Sequence, residues 1–269
     1  MKRLSYILSF AVLAFGLISC GDNGTGSKGD APAIPSSVAE NSKPDISYFE
    51  GTSKVTAEKS SSTNFDDAKN TVLGFSSFSY LGQIYAPFFQ NAQGSNANFN
   101  NGVWEWEYSY SYQGTSASIR LTAEEVANGI YWDMYYTFSS PQYSFDDYNM
   151  ISGFVHSNGN EGDWTFNTIF DDTGAETPIL KSDWEVISNS ERTIDIKIYD
   201  GQGQVTDIIY YSENGDIHEM YNSSKAVTVY WDTDQEIGYY DPAQGQRVCW
   251  SGNATSSTNV DCSSVGLDE

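Results

Sequence analysis

From residue 102 onward the chain alternates apolar and polar residues with a period of two, in short segments separated by turn-forming clusters. The segments are VWEWEYSYSY, SASIRLTA, IYWDMYYTFS, MISGFVHS, DWTFNTIF, DWEVIS, RTIDIKIYD, QVTDIIYYS, DIHEMYN, AVTVYWD, EIGYY and RVCWSG. They are joined by links such as ANG, SNGNEG, DDTGAETP, DGQG, ENG, NSSK and DPAQGQ. A period of two places alternate side chains on opposite faces of a strand. Asn, Asp and Gly supply the positive-φ positions of tight hairpins. Links this short join antiparallel neighbours, because a parallel crossover needs a dozen or more residues. The expected fold class is therefore all-β, an antiparallel up-and-down meander of about ten to twelve strands. Such a meander manages its edges by closing into a barrel or by curving, as a half-barrel does, around another element.

That element is expected before the first strand. NFDDAKNTVLGFSSFSYLGQIYAPFFQNA carries Asn64 as a cap and Asp66 and Asp67 in the first turn, where the helix dipole favours negative charge. Val72, Phe75, Phe78, Leu81, Tyr85 and Phe88 recur at three- and four-residue spacing, which predicts one amphipathic helix over 65–90. Gly74 and Gly82 weaken it and suggest close packing, and Pro87 kinks or ends it. The acidic first turn and the lack of flanking basic residues favour packing on the sheet over an anionic membrane.

The leader is MKRLSYILSFAVLAFGLISC, with basic residues at Lys2 and Arg3 and an apolar run from Leu4 to Ile18. A run this short suits a signal peptide, since a membrane span needs roughly 20 apolar residues. Leu17-Ile18-Ser19-Cys20 resembles the lipobox of bacterial lipoproteins. The resemblance implies removal of residues 1–19, lipidation of Cys20 and, with Gly21 rather than Asp following, retention in the outer membrane, either periplasmic or at the cell surface. Membrane attachment would then run through the lipid anchor. Residues 20–63, rich in Gly, Ser, Pro and Lys, are expected to form a flexible tether of roughly 35 Å end to end, with Ile46–Phe49 as a possible short edge strand. Residues 64–269 then make a single β-rich domain.

Thirty-six Asp and Glu face thirteen Lys and Arg, a formal net charge of -23. A surface this acidic repels phosphate backbones, so no nucleic-acid partner is expected. With Cys20 lipidated, Cys249 and Cys262 remain as an even pair, expected to form a disulfide in an oxidising compartment, with two free thiols as the alternative.

Enzymatic chemistry finds little support. The two histidines, His156 and His218, lie far apart, and the chain has no G-x-S-x-G, H-E-x-x-H, Walker or C-x-x-C motif. The Gly74 run GFSSF lacks the second glycine of a nucleophile elbow. Glu105 and Glu107 share a strand face at about 7 Å, a separation that overlaps inverting glycosidases, but they share that face with Ser109 and Ser111, as a solvated surface would. Asp232, Asp234 and Glu236 are weak calcium candidates, as are Asp171 and Asp172. The spacing of WDTDQEIG departs from the EF-hand loop, and no cofactor is expected.

Seven Trp, nineteen Tyr and fourteen Phe are the largest remaining signal. Trp104, Trp106, Tyr108, Tyr110 and Tyr112 lie on one face of the first long strand, and Ile130, Trp132, Met134, Tyr136 and Phe138 on one face of another. An exposed apolar patch rarely exceeds a few hundred Å², so this wall is either covered by protein or lines a cavity. Gly102-Val103-Trp104 is similar to the G-x-W of lipocalins, whose barrel holds small apolar ligands, and Arg247 would be the Arg packed over that Trp. The meander with a helix in its concavity also resembles lipoprotein-carrier half-barrels of the bacterial envelope. The expected function is non-enzymatic binding of an apolar or amphipathic molecule, with Trp104, Trp106, Tyr108, Tyr110, Tyr112, Trp132 and Tyr136 as ligand contacts. The alternatives are surface carbohydrate binding and a structural or partner-binding role in the envelope. In a ligand cavity the Trp end is expected to be dry and the Tyr end to face the mouth.

Overall fold

The computed structural model describes residues 31–34, 36–50, 63–76, 97–112, 114–141, 144–169 and 176–268. The leader, the lipobox with Cys20, the helical stripe beyond Phe75, and Asp171 and Asp172 lie outside the described residues, as does the side chain of Tyr112.

Fourteen strands form one antiparallel up-and-down sheet in which each strand pairs with its sequence neighbours, so β1 and β14 are the two edges. The strands are β1 Asn98–Asn100, β2 Val103–Tyr112, β3 Thr115–Val126, β4 Gly129–Ser139, β5 Ser144–His156, β6 Glu161–Ile169 and β7 Glu176–Ser188. They continue as β8 Glu191–Tyr199, β9 Val205–Asn214, β10 Ile217–Asn222, β11 Val227–Asp232, β12 Ile237–Asp241, β13 Val248–Ser251 and β14 Thr258–Val260. All the strands expected from the two-residue period are present. The two additions, β1 and β14, have three residues each, too few to display a period. The β1–β2 link is an Asn-Gly turn with φ of 51° at Asn101 and 93° at Gly102, the pair of positive values that a tight type I′ hairpin requires.

By internal packing the meander divides into two compact units. The first holds β1–β5, most of β6 and the start of β7. The second holds the helices, the first residues of β6, the rest of β7, and β8–β14. Within the sheet the division falls in the β5–β6 turn and inside β6 and β7.

In the first unit, the inward face is built by exact alternation. Trp104 pairs with Ala123 and Trp106 with Leu121, and these in turn pair with Trp132 and Met134 on β4. Met134 then faces Ile151, and Ile130 faces Val155, on β5. All are buried or nearly so, apart from Ile130.

The second unit is covered by helices. The turns α1 Val38–Asn41 and α2 Ser47–Glu50 are followed by α3 Thr63–Ser76, which packs on β11–β14. Phe65, Ala68, Val72 and Phe75 form the buried stripe of α3. The expected stripe began at Val72, so it missed the first two. Gly74 is exposed, with open space where a Cβ would stand, so it mediates no close packing. Asn64, expected as the cap, instead donates its side-chain amide to the Cys249 carbonyl at 2.9 Å.

Residues 36–50 belong to the stretch read as tether, yet they dock on this unit. Val38, Ile46 and Phe49 are buried, and Ile46–Phe49 enters a helical turn rather than an edge strand. Phe49 lies 5.0 Å from the Trp231 ring and 5.4 Å from Phe65, and Phe65 meets Trp250 edge-on at 5.7 Å. Polar bonds fix the segment. Arg192 donates to the Glu40 carbonyl at 2.8 Å, and the Asp45 N–H donates to the Tyr211 hydroxyl at 3.2 Å. Tyr48 donates to the Gly252 carbonyl at 2.8 Å while accepting from Trp250 Nε1 at 3.1 Å. Burial pushes the Tyr48 phenol up to about 12, so it stays a neutral donor. Three apolar residues thinly spread in a polar segment give no compositional signal. They order it because each one fills an aromatic site.

Cys249 and Cys262 form a disulfide, joining β13 to the closing 3-10 turn Cys262–Val265.

Candidate functional site

Trp104, Trp106, Tyr108, Tyr110, Trp132 and Tyr136, all expected to contact a ligand, come together in the first unit on one face of β2–β5. Exposure grades along the strands. At one end Trp106, Trp132, Met134 and Ile151 are each 1% exposed, and Leu121 and Ala123 are completely buried. Trp106 and Trp132 stack at 6.0 Å with planes 21° apart, a diagonal contact across β3 that the small Ala123 makes possible. Toward the other end of the same face, Tyr108 and Tyr136 are half-buried, and Tyr110 is 50% exposed.

At this second end the aromatic rings form a continuous group. Tyr136 lies 5.3 Å from Phe145 and 6.4 Å from Phe138, Phe138 lies 5.8 Å from Phe145, and Phe145 meets Tyr148 edge-on at 5.9 Å. Separations of this order are those of favourable aromatic pairs. Burial raises the Tyr136 pKa, so its hydroxyl remains protonated at neutral pH and can donate a hydrogen bond. The group thus offers apolar ring surface together with neutral phenols, facing an environment that still admits water.

Phe145 and Tyr148 were not foreseen. They lie in SFDDYN, whose pattern is broken by two register shifts between β4 and β5 and by a positive φ of 47° at Asp147. The irregularity brings Tyr136 opposite Tyr148 and Phe138 opposite Phe145 on the same face. A Tyr and a Phe flanking an Asp pair were the available signal, but a bulge shifts the parity that a two-residue period relies on.

The opposite face of the same strands is polar and held by ion pairs and hydrogen bonds. Arg120 binds both carboxylate oxygens of Asp147 at 2.7 Å, reaches Glu105 at 3.5 Å, and lies 4.0 Å above the Tyr135 ring. Glu105 is thus an ion-pair partner of Arg120, and Glu107 is an exposed residue on the same side. Glu105 paired across the strands with an arginine, beside an exposed Glu107, is the arrangement of a solvated sheet surface.

The remaining candidates are structural in their contacts. Asp232 is buried, and its carboxylate accepts the N–H groups of Asp234 and Gln235 at 3.0 and 2.9 Å and the Gln235 side chain at 3.0 Å. These bonds close the β11–β12 turn. Glu236 accepts from Asn253 at 2.8 Å, and Asp234 is exposed. Among the described residues no group of three His, Cys, Asp or Glu is placed to hold a metal ion. Arg247 lies 3.9 Å from the Tyr239 ring and pairs with Asp241 at 3.2 Å. Gly102 of the lipocalin-like G-x-W belongs to the β1–β2 turn.

The two histidines lie in different units. His156 packs edge-on against Phe154 at 5.0 Å. His218 is buried, stacks on Trp231 with planes 3° apart, and its Nδ1 lies 2.9 Å from the Tyr211 hydroxyl. Tyr211 spends its one proton on Glu213 at 2.8 Å, so the bond to His218 needs Nδ1 to carry the hydrogen. Glu213 is in turn held by Arg192 at 2.7 Å. Burial lowers the His218 pKa, with Glu213 and Asp45 opposing, and burial raises that of Tyr211. The group clamps residues 36–50 to the sheet.

No protein-family model, no curated protein and no solved structure matches the chain.

Proposed function

We propose that this is a lipid-anchored protein of the bacterial outer membrane that binds an apolar or amphipathic small molecule, without catalysis, on the aromatic face of β2–β5. The observation that carries the reading is the exposure gradient along this face, from Trp106 at 1% to Tyr110 at 50%. A dry aromatic end suits an acyl or ring system, and a wet tyrosine end suits the polar part of the same molecule. The buried Trp106 Nε1, which has no hydrogen-bond partner among the described residues, adds a donor within the face. Trp231 Nε1 in the second unit shares that condition, so the donor supports the reading only in company with the gradient.

The test is mass spectrometry of organic extracts from the full chain purified from its native membrane, with Tyr110→Ala and Tyr136→Ala alongside. Co-purifying lipid-like molecules that diminish in the variants are expected. Extracts free of such molecules, together with failure to bind a fluorescent acyl probe, would overturn the assignment. The anchor is tested separately by metabolic labelling with a radioactive fatty acid, which Cys20→Ala should abolish.

Carbohydrate binding is the second reading, favoured by the half-exposed Tyr110 ring, since aromatic rings at a wet surface suit sugar faces. Glycan-array binding lost in Tyr110→Ala, with lipid-free extracts, would replace the first reading by this one.

A further inference from the structure

We propose that the solvent-facing side of β9–β12 in the second unit docks an arginine side chain of a basic partner polypeptide, with Tyr230 as its stacking surface and Glu219 as its counter-ion. The register places these residues on one face. Glu219 stands opposite Tyr230, Tyr230 opposite Tyr239, and Tyr221 opposite Tyr210. Their chain neighbours His218, Met220, Val229, Trp231, Ile209 and Tyr211 are buried, so this row points outward. Tyr221 is 38% exposed.

The protein already binds one arginine in this manner. Tyr230 and Tyr239 stack at 5.1 Å with planes 7° apart. Arg247 covers the far side of Tyr239 at 3.9 Å and pairs with Asp241 at 3.2 Å. The row is therefore a layered stack with a cation and a carboxylate at the Tyr239 end. At the Tyr230 end the carboxylate is present as Glu219, and the cation is missing. Glu219 has no hydrogen-bond or ion-pair partner among the described residues, and its charge acts on Tyr210, Tyr230 and Tyr239 together.

A carboxylate beside aromatic rings favours guanidinium over ammonium. Guanidinium is planar, weakly hydrated and able to stack while it forks onto two oxygens. The net charge of -23 draws a basic polypeptide to the surface but cannot select a position. Selection would come from Glu219 and Tyr230.

The experiment is calorimetric titration of the full chain at physiological salt with a Gly-Arg repeat octapeptide and its Gly-Lys and Gly-Gln analogues. The arginine peptide is expected to bind most tightly. Glu219→Gln should weaken it about tenfold, as loss of a charge-assisted pair does, and Tyr230→Leu about threefold, as loss of an exposed cation–π contact does. Glu125→Gln, which removes the same charge at an exposed position of the other unit, should change affinity by less than about twofold. Near-UV circular dichroism identical to wild type certifies the fold of each variant. Equal binding by wild type and Glu219→Gln, equal losses in Glu219→Gln and Glu125→Gln, or equal affinity for the lysine peptide would each overturn the proposal.

Discussion

Gly238 of β12 lies between two tryptophans that are completely buried, Trp231 on β11 and Trp250 on β13, and it pairs with both. A Cβ added there would collide with Trp250 Cζ2, stand 2.5 Å from the Tyr230 carbonyl oxygen and 2.8 Å from Trp250 Cε2. The indole cannot retreat freely, because Phe65 meets it edge-on at 5.7 Å and its Nε1 donates to Tyr48. The carbonyl belongs to the sheet backbone. Overpacking of this kind costs about 2–3 kcal/mol, and the reduced freedom of the unfolded chain returns only about 0.5–1 kcal/mol. Gly238→Ala should therefore lose about 2 kcal/mol, lowering the urea midpoint by about 1 M for a slope near 2 kcal/mol per M. Gly74→Ala in α3 meets nothing within 4 Å and has no positive φ, so it should gain about 0.5–1 kcal/mol. Both positions belong to the same unit, and tryptophan fluorescence during urea unfolding reads the transition they share. A Gly238→Ala protein as stable as wild type, or shifts of the same sign for both variants, would refute the packing argument.

In the first unit, Trp106→Ala should cost about 3–5 kcal/mol. Tyr110→Ala on the same strand should stay within about 0.5 kcal/mol, and thermal unfolding separates the two. Reduction of the Cys249–Cys262 bridge should lower stability by about 3 kcal/mol in the chain-entropy picture of a short loop, read as a lower urea midpoint in the presence of reductant. His218 is held below its ordinary 6.5 by burial, so the unfolded chain takes up the proton first. Its contribution is complete above about pH 6.5 and declines as pH falls toward the folded-state value. Unfolding free energies should accordingly drop less between pH 7 and 5 in His218→Gln than in wild type, and parallel curves would contradict this. Burial opposes ionisation of Asp207, yet bonds from Asn222, Ser224 and Ser223 outweigh it and hold the carboxyl below 3.8. Asp207→Ala should remove a stability increment that wild type loses only in strong acid, measured by acid titration of unfolding.

The meander was legible because its rule is local. VWEWEYSYSY and RTIDIKIYD each display their own alternation, and ANG or ENG each announce a hairpin. The edge strands and the first halves of β5 and β7 were not legible. NFN and TNV are too short, Asp147 and the neighbouring bulges reverse parity, and Pro178 interrupts ETPIL. The aromatic wall could be read as a set, including its Trp-to-Tyr order. The Phe145–Tyr148 extension could not, since it depends on which residue a bulge displaces. The Asp232 turn illustrates the opposite difficulty. Alternating acids suit a cation and an Asx turn equally well, and only the N–H groups of Asp234 and Gln235 decide between them. Of the docking of residues 36–50 only Ile46–Phe49 was legible, and as an edge strand, because its partners Trp231 and Trp250 lie far along the chain.

That docking has a consequence for the order of folding. Asp45 finds Tyr211 across 166 positions, Asn64 finds Cys249 across 185 and Tyr48 finds Gly252 across 204. The hairpins of the second unit can form in succession as each strand is completed, because every strand pairs with its neighbour. The cover over Trp231 and Trp250 closes on another schedule, since loop closure over such lengths is slow and must precede its reward. The segment made among the first is thus among the last to be satisfied. During synthesis, this unit holds a nearly finished sheet with its aromatic face open until the final strands arrive. That interval is when a chaperone or a neighbouring copy competes for the same surface.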